Sequence, residues 1–160
     1  MRKPDPLDPV DRHLLALLQT DASTTHQVLA EAVGVSTATC HRRIQRLRVE
    51  GYIERAVSIL SPAHLKAAGL PQLQAIVEVT LDVQTVERLD AFEAQACADA
   101  QVQQVYRVSP GPDFVLVGCV PDMDGYQAFA RRLLSGDAYV RNVRSYFVTV
   151  RAKLTTQLPV

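Results

Sequence analysis

No stretch of this 160-residue chain is apolar for long enough to cross a membrane, which takes about 20 residues. The opening MRKPDPLDPVDR lacks the apolar run of a signal peptide, so the expectation is a cytoplasmic protein with no membrane partner. Cysteine is scarce and odd in number: Cys40, Cys97 and Cys119 lie far apart, with no CxxC or Cys/His spacing suited to zinc. Reduced thiols and no metal follow. His13, His26 and His64 stand alone, without a second ligand at metal spacing. There is no glycine-rich phosphate loop, nucleophile elbow or HExxH. Asp122 and Asp124 read as a helix cap and a first-turn charge rather than a catalytic pair. Neither catalysis nor a cofactor is expected. The formal net charge is zero, which excludes a general polyelectrolyte attraction to nucleic acid and leaves only a local one.

Apolar residues make up 48% of the chain and charged ones 21%, the balance of a globular protein with a core. Leu7, Val10, Leu14 and Leu17 or Leu18 recur at helical spacing, with Asp8 as N-cap, Pro9 in the first helical position and Asp11 in the first turn. A short helix from about Thr25 to Val33 follows, with Val28, Leu29, Ala32 and Val33 inward and Ala30 small where helices cross. Gly34 permits a tight turn. Ser36 caps a third helix that ends near Glu50, before Gly51. Cys40, Ile44 and Leu47, with Val35 ahead of them, form its buried stripe. Ala38, Arg42, Gln45 and Val49 fall on the opposite side, with Thr39 and Arg46 at the edge. Three helices with a tight turn before the third make a helix-turn-helix.

Residues 52 to 60 alternate as a strand would, and Ser61-Pro62 starts a short helix ended by Gly69-Leu-Pro71, a linker. From Leu73 the period becomes two: Leu73, Ala75, Val77, Val79 and Leu81 share a face. A helix follows with Val86, Leu89, Phe92 and Ala96 at core spacing. Strands near Val102–Val108 and Phe114–Val120 come next, then a helix with Met123, Tyr126, Phe129 and Leu133, and a last strand from about Val140 to Lys153. The fold class is therefore α+β: an N-terminal winged-type helix-turn-helix domain (1–53), a linker strand and short helix (54–71), and a ferredoxin-like βαββαβ domain (72–160).

An arginine-rich helix face is commonly nothing more than a solvated surface. The helix-turn-helix setting favours double-stranded DNA as its partner. Arg42 is the first choice for a base edge, because its planar fork matches guanine, and Arg43 and Arg46 are assigned to phosphates. Ser36 and Thr37 at the helix start are placed to donate to a phosphate, and Ala38, Thr39 and Gln45 complete the exposed face. His41 is equally a DNA contact or an exposed bystander.

The segments LDPVDRHLLALLQTDA, LAEAVGVSTATCHRRIQRLRVEGYI, SPAHLKAAG and VPDMDGYQAF together give the chain a resemblance, over nearly its whole length, to the Lrp/AsnC (feast/famine) family of transcriptional regulators. The resemblance implies a sensing domain that dimerises through its sheet, dimers that assemble to octamers, and an amino-acid effector between subunits. In the family the sensing loop reads Ser/Thr-Gly-x-aromatic-Asp. Here it is Ser109-Pro-Gly-Pro-Asp113-Phe114, with proline at the glycine and aromatic positions. Two donors are lost, leaving a rigid turn without ligand or a modified pocket walled by Ser109, Gly111 and Asp113 as equal alternatives. The Gly111 and Asp113 amides suit a carboxylate and the Asp113 side chain an ammonium. Ser145, Phe147 and Thr149 are second-wall candidates on alternation alone. Two rival readings are an effector-independent DNA-architectural protein and an enzyme resembling sirohaem decarboxylases. The absence of histidine beyond His64 and the retained arginine cluster weigh against the enzyme.

Overall fold

The computed structural model describes residues 6–135 and 139–160. Two compact units divide the chain: one runs up to Ile59 and takes back Lys153–Val160, and the other is Leu60–Ala152.

The first unit is three helices, α1 (Pro9–Thr20), α2 (His26–Val33) and α3 (Thr37–Val49). Each start is fixed by a side-chain cap: Asp8 for α1, Thr25 for α2 and Ser36 for α3. Gly34 ends α2 at φ 72°, a left-handed turn that only glycine adopts without penalty, and it sends the chain into α3. Leu14, Leu29, Ala30, Cys40 and Ile44 form the shared core, with Val10, Leu17, Leu18, Val33, Val35 and Ile53 packed around them. Leu47 is buried as well. The stripe expected for α3 is thus the one that packs. Val28 and Ala32, expected inward, are exposed, because the eight-residue α2 turns Leu29, Ala30 and the half-buried His26 and Val33 to its neighbours.

Residues 52–60 form no strand, contrary to the alternation of the sequence, so among the described residues the helix-turn-helix carries no β wing. Ile53 donates its amide to Leu47 O at 3.2 Å, while Val57, Ile59 and Leu60 are exposed. A strand needs a partner for its backbone groups, and among the described residues no strand pairs with this segment. The chain's last residues return to α1: Leu158 N donates to Gln19 Oε1 at 2.6 Å, and Gln157 Nε2 to Thr20 Oγ1 at 3.2 Å. This tail therefore groups with the helical unit.

The second unit begins with the short helix α4 (Pro62–Ala67) and continues β1 (Leu73–Leu81), α5 (Val86–Ala98), β2 (Val102–Arg107), β3 (Phe114–Val120), α6 (Met123–Phe129) and β4 (Val140–Phe147), a π turn at Ala130–Leu134 extending α6. The sheet order is β2-β3-β1-β4, with every neighbouring pair antiparallel. This is the βαββαβ arrangement expected from the element order. Ala75, Val77, Val79 and Leu81 from β1 and Phe114, Leu116 and Val120 from β3 meet Phe92, Ala96, Phe129 and Leu133 in one core. The Phe92 and Phe114 rings lie 4.9 Å apart, and each such buried ring contributes about 1.5–3 kcal/mol. Val86 and Met123, expected in that core, are exposed, being first residues of their helices that sit off the sheet. The last strand stops at Phe147 instead of Lys153, and only Val148 N, bonded to Gln74 O, prolongs its pairing with β1.

Candidate nucleic-acid interface

One face of α3 is packed and the other is bare. Ala38, Arg42, Gln45 and Val49 are exposed, Val49 to 86%, directly opposite the buried Cys40, Ile44 and Leu47. Arg42 makes no hydrogen bond or ion pair among the described residues, so its guanidinium is available to a partner. Thr37 is exposed at the helix start. Ser36 is engaged: its Oγ accepts from Thr39 N at 3.2 Å and lies 3.0 Å from Thr39 Oγ1, an arrangement that caps the helix and holds half-buried Thr39.

Arg43 and Arg46 are engaged too. Arg43 Nη1 donates to Asp8 Oδ2 at 2.7 Å and to Asp11 Oδ1 at 2.9 Å. Arg46 Nη2 donates to Asp11 Oδ2, and Arg46 Nη1 lies 3.9 Å from Glu50 Oε2. Asp11 is 1% exposed, so both its oxygens are neutralised within the fold. Asp8 and Asp11 also close a capping box: Asp11 N donates to Asp8 Oδ1 at 2.8 Å and Asp8 N to Asp11 Oδ2 at 3.3 Å. The Asp11 amide and then the Arg43 guanidinium hold the Asp8 carboxyl below the usual carboxylate range. The same carboxylates raise Arg43 and Arg46 above the ordinary arginine value.

Asp11 is the residue that sequence reasoning missed, having appeared only as a favourable first-turn charge. A signal existed: Asp8 and Asp11 are three apart on α1, and Arg43 and Arg46 are three apart on α3, a matched pair of ladders. His26 and His41 were also missed as a pair. Their Nδ1 atoms are 3.2 Å apart across α2 and α3, so His41 has a partner within the fold.

The effector candidates fall into two groups. Ser109, Gly111 and Asp113 lie on the β2–β3 turn, where Ser109-Pro110 is cis and Gly111 has φ 123°, a conformation that favours glycine. Asp113 closes the turn: its amide donates to Val79 O at 2.9 Å, and its carboxylate accepts from Leu81 N at 2.7 Å. That amide, expected to serve an effector carboxylate, is thus already used. Ser145 and Phe147 face α6, where Ser145 Oγ bonds to the Tyr126 hydroxyl and the Phe147 ring meets Tyr126 edge-on at 4.8 Å. Ser145 pairs with Val77 and Phe147 with Ala75, two and four residues along β1 from Val79, so they lie roughly 7 and 13 Å along the strand from the point where the turn is fastened. Thr149 is exposed beyond the end of β4.

A helix-turn-helix with a bare, arginine-bearing third helix, joined to a ferredoxin-like domain, defines a DNA-binding regulator of two parts. Residues 7–48 match the AsnC-type helix-turn-helix domain, and residues 74–158 match the Lrp/AsnC ligand binding domain. The chain belongs to the Lrp/AsnC family and is a transcriptional regulator of that type. It is 39% identical over 142 residues to an HTH-type transcriptional regulator of Haemophilus influenzae, covering 89% of this chain and 82% of that one. An AsnC family regulator from Agrobacterium tumefaciens superimposes with a TM-score of 0.84 at 33% identity, over 96% of this chain and 97% of that one. A Neisseria meningitidis regulator in complex with L-methionine does so with the same score at 27% identity, again over 96% and 97%.

Proposed function

We propose that this regulator reads double-stranded DNA through the exposed face of α3, as a homodimer that assembles further and answers to an amino-acid effector. The observation that carries the reading is Arg42, exposed opposite the Cys40/Ile44/Leu47 core and without an ion pair among the described residues. Its fork can grip a guanine edge while Ala38 and Gln45 lie flat against neighbouring bases, with Thr37 beside the backbone. Two such helices in a dimer address half-sites about 34 Å apart.

The sheet supports self-association. Its face away from the helices carries a cross-strand row Val117, Ile76 and Tyr146, with Ile76 38% and Tyr146 46% exposed, and Tyr106 beside Val115. Such an apolar band on one protomer is a surface that burial against a second copy would stabilise. Effector sensing rests on the methionine-bound neighbour and on the Ser109–Asp113 turn. With Asp113 committed to β1, the Gly111 amide and the Ser109 hydroxyl are what that turn offers a ligand. A protein with these partners works beside the chromosome, in the cytoplasm.

The test is a gel shift on the region upstream of its own gene, with each of the amino acids in turn. A discrete shift that an amino acid strengthens, weakens or re-spaces is the expected result. Equal affinity for every sequence would favour the architectural reading instead.

A further inference from the structure

We propose that Asp8 and Asp11 are positioning residues for DNA recognition: they hold the Arg43 and Arg46 guanidiniums against α1 and off the DNA phosphates, so that α3 docks through Arg42 and its uncharged neighbours. The inference rests on the DNA-binding reading above and reassigns two of the arginines that the sequence alone gives to phosphate.

The geometry carries it. Both Asp11 oxygens are occupied, Oδ1 by Arg43 and Oδ2 by Arg46, at a carboxylate that is 1% exposed. Swinging either arginine to a phosphate would weaken the pairing of a buried charge, a larger loss than a surface contact returns. The acids cannot follow the arginines outward, since the capping box fixes Asp8 and Asp11 to the start of α1. Each arginine therefore faces an anion already, and the carboxylates occupy the sites that phosphate oxygens would otherwise take. Arg42 is the contrast, on the same helix and one residue away, yet exposed and unpaired among the described residues.

The consequence concerns specificity. Every arginine that neutralises a phosphate adds affinity for all sequences alike and steepens the salt dependence. Withholding two of them lowers random binding and leaves a larger share of the energy to base edges. A chain with zero net charge fits this design.

The experiment is the slope of log K against log salt, between about 50 and 200 mM, for the full chain on a random-sequence duplex. Arg43→Gln and Arg46→Gln should each keep the wild-type slope while lowering the melting temperature. Asp11→Asn keeps the side-chain shape but drops its charge, and should steepen the slope by up to about 0.9 for each arginine released. Arg43→Gln and Arg46→Gln combined with Asp11→Asn should abolish that steepening, which separates released arginines from a mere loss of negative charge. If Asp11→Asn does not fold, Asp8→Asn takes its place, with a smaller steepening that requires Arg43. A slope flattened by about 0.9 in folded Arg43→Gln or Arg46→Gln overturns the proposal, as does steepening that persists without the arginines. Failure of the wild-type protein to bind any duplex would instead refute the DNA reading itself.

Discussion

The exposed face of α3 and the turn at residues 109–113 are both short polar segments in the sequence, and they differ in what positions their side chains. On α3 every residue of interest lies within thirteen consecutive positions of one helix. The helical period alone then decides which side chains share a face, and the core stripe of Cys40, Ile44 and Leu47 sets the rotation. The turn's neighbours come from β1, which it meets more than thirty residues earlier in the chain. Their contacts depend on strand register, which alternation does not contain. Local periodicity places a face; only the paired sheet places a pocket.

The α3 face is most severely disturbed from behind. Cys40→Asp puts a carboxylate at a site with 0% exposure, where burial already pushes the native thiol's pKa up. The expected cost is about 4 kcal/mol or more, enough to unfold the three helices. Amide NMR spectra should lose the helical unit and retain the sheet unit. Retention of both would mean that α3 is rotated away from the position described. Next in size is Arg42→Ala, expected to weaken specific binding by about 1–3 kcal/mol and to relax preference at one base pair. A competition experiment against a set of single-base operator variants reads this directly, and an unaltered preference profile would remove Arg42 as the base reader.

What was legible follows the same division. The helical and the sheet-forming patterns were visible, because amphipathic segments announce their period: the inward set Leu73, Ala75, Val77, Val79 and Leu81 packs as read, with only Leu73 less than fully buried. The misplaced residues of the sheet unit's helices sit at their ends, whereas Val28 and Ala32 lie within the short α2. Val86 and Met123 obey the period yet begin their helices, where the sheet no longer lies opposite. Residues 52–60 alternate without a partner strand, and alternation is half of what a strand needs. Asp11 was hidden for another reason. Its role depends on Arg43 and Arg46, 32 and 35 residues away, and a single acidic residue in a first turn already has a sufficient local explanation.

The turn can be tested as structure and as site at once. Asp113→Ala removes the acceptor for Leu81 N and should cost about 1–3 kcal/mol in urea unfolding of the sheet unit. Calorimetry with the amino acids, on this variant and on the parent, then separates two roles. Loss of stability with unchanged ligand binding leaves Asp113 as a fastening of the turn to β1. Loss of binding in a variant that melts like the parent would return it to the effector wall.

The smallest effect distinguishes the start of α1 from the rest of the helical unit. Asp8 has its carboxyl lowered below the ordinary value of 3.8, first by the Asp11 amide and then by Arg43. A carboxylate that is more acidic folded than unfolded stabilises the fold above its unfolded value, and that contribution fades as pH falls from there through the lower folded value. The window is therefore below about pH 4, and near neutrality the contribution is complete and constant. Asp8→Asn keeps a competent helix cap but cannot ionise, so it should lose the acid-dependent part alone. The gap between parent and variant melting temperatures should be constant from neutral pH to about 5 and shrink as acid is added. A gap that instead widens with acid would mean that Asp8 is protonated more readily in the fold than out of it, which its place between the Asp11 amide and the Arg43 guanidinium does not allow.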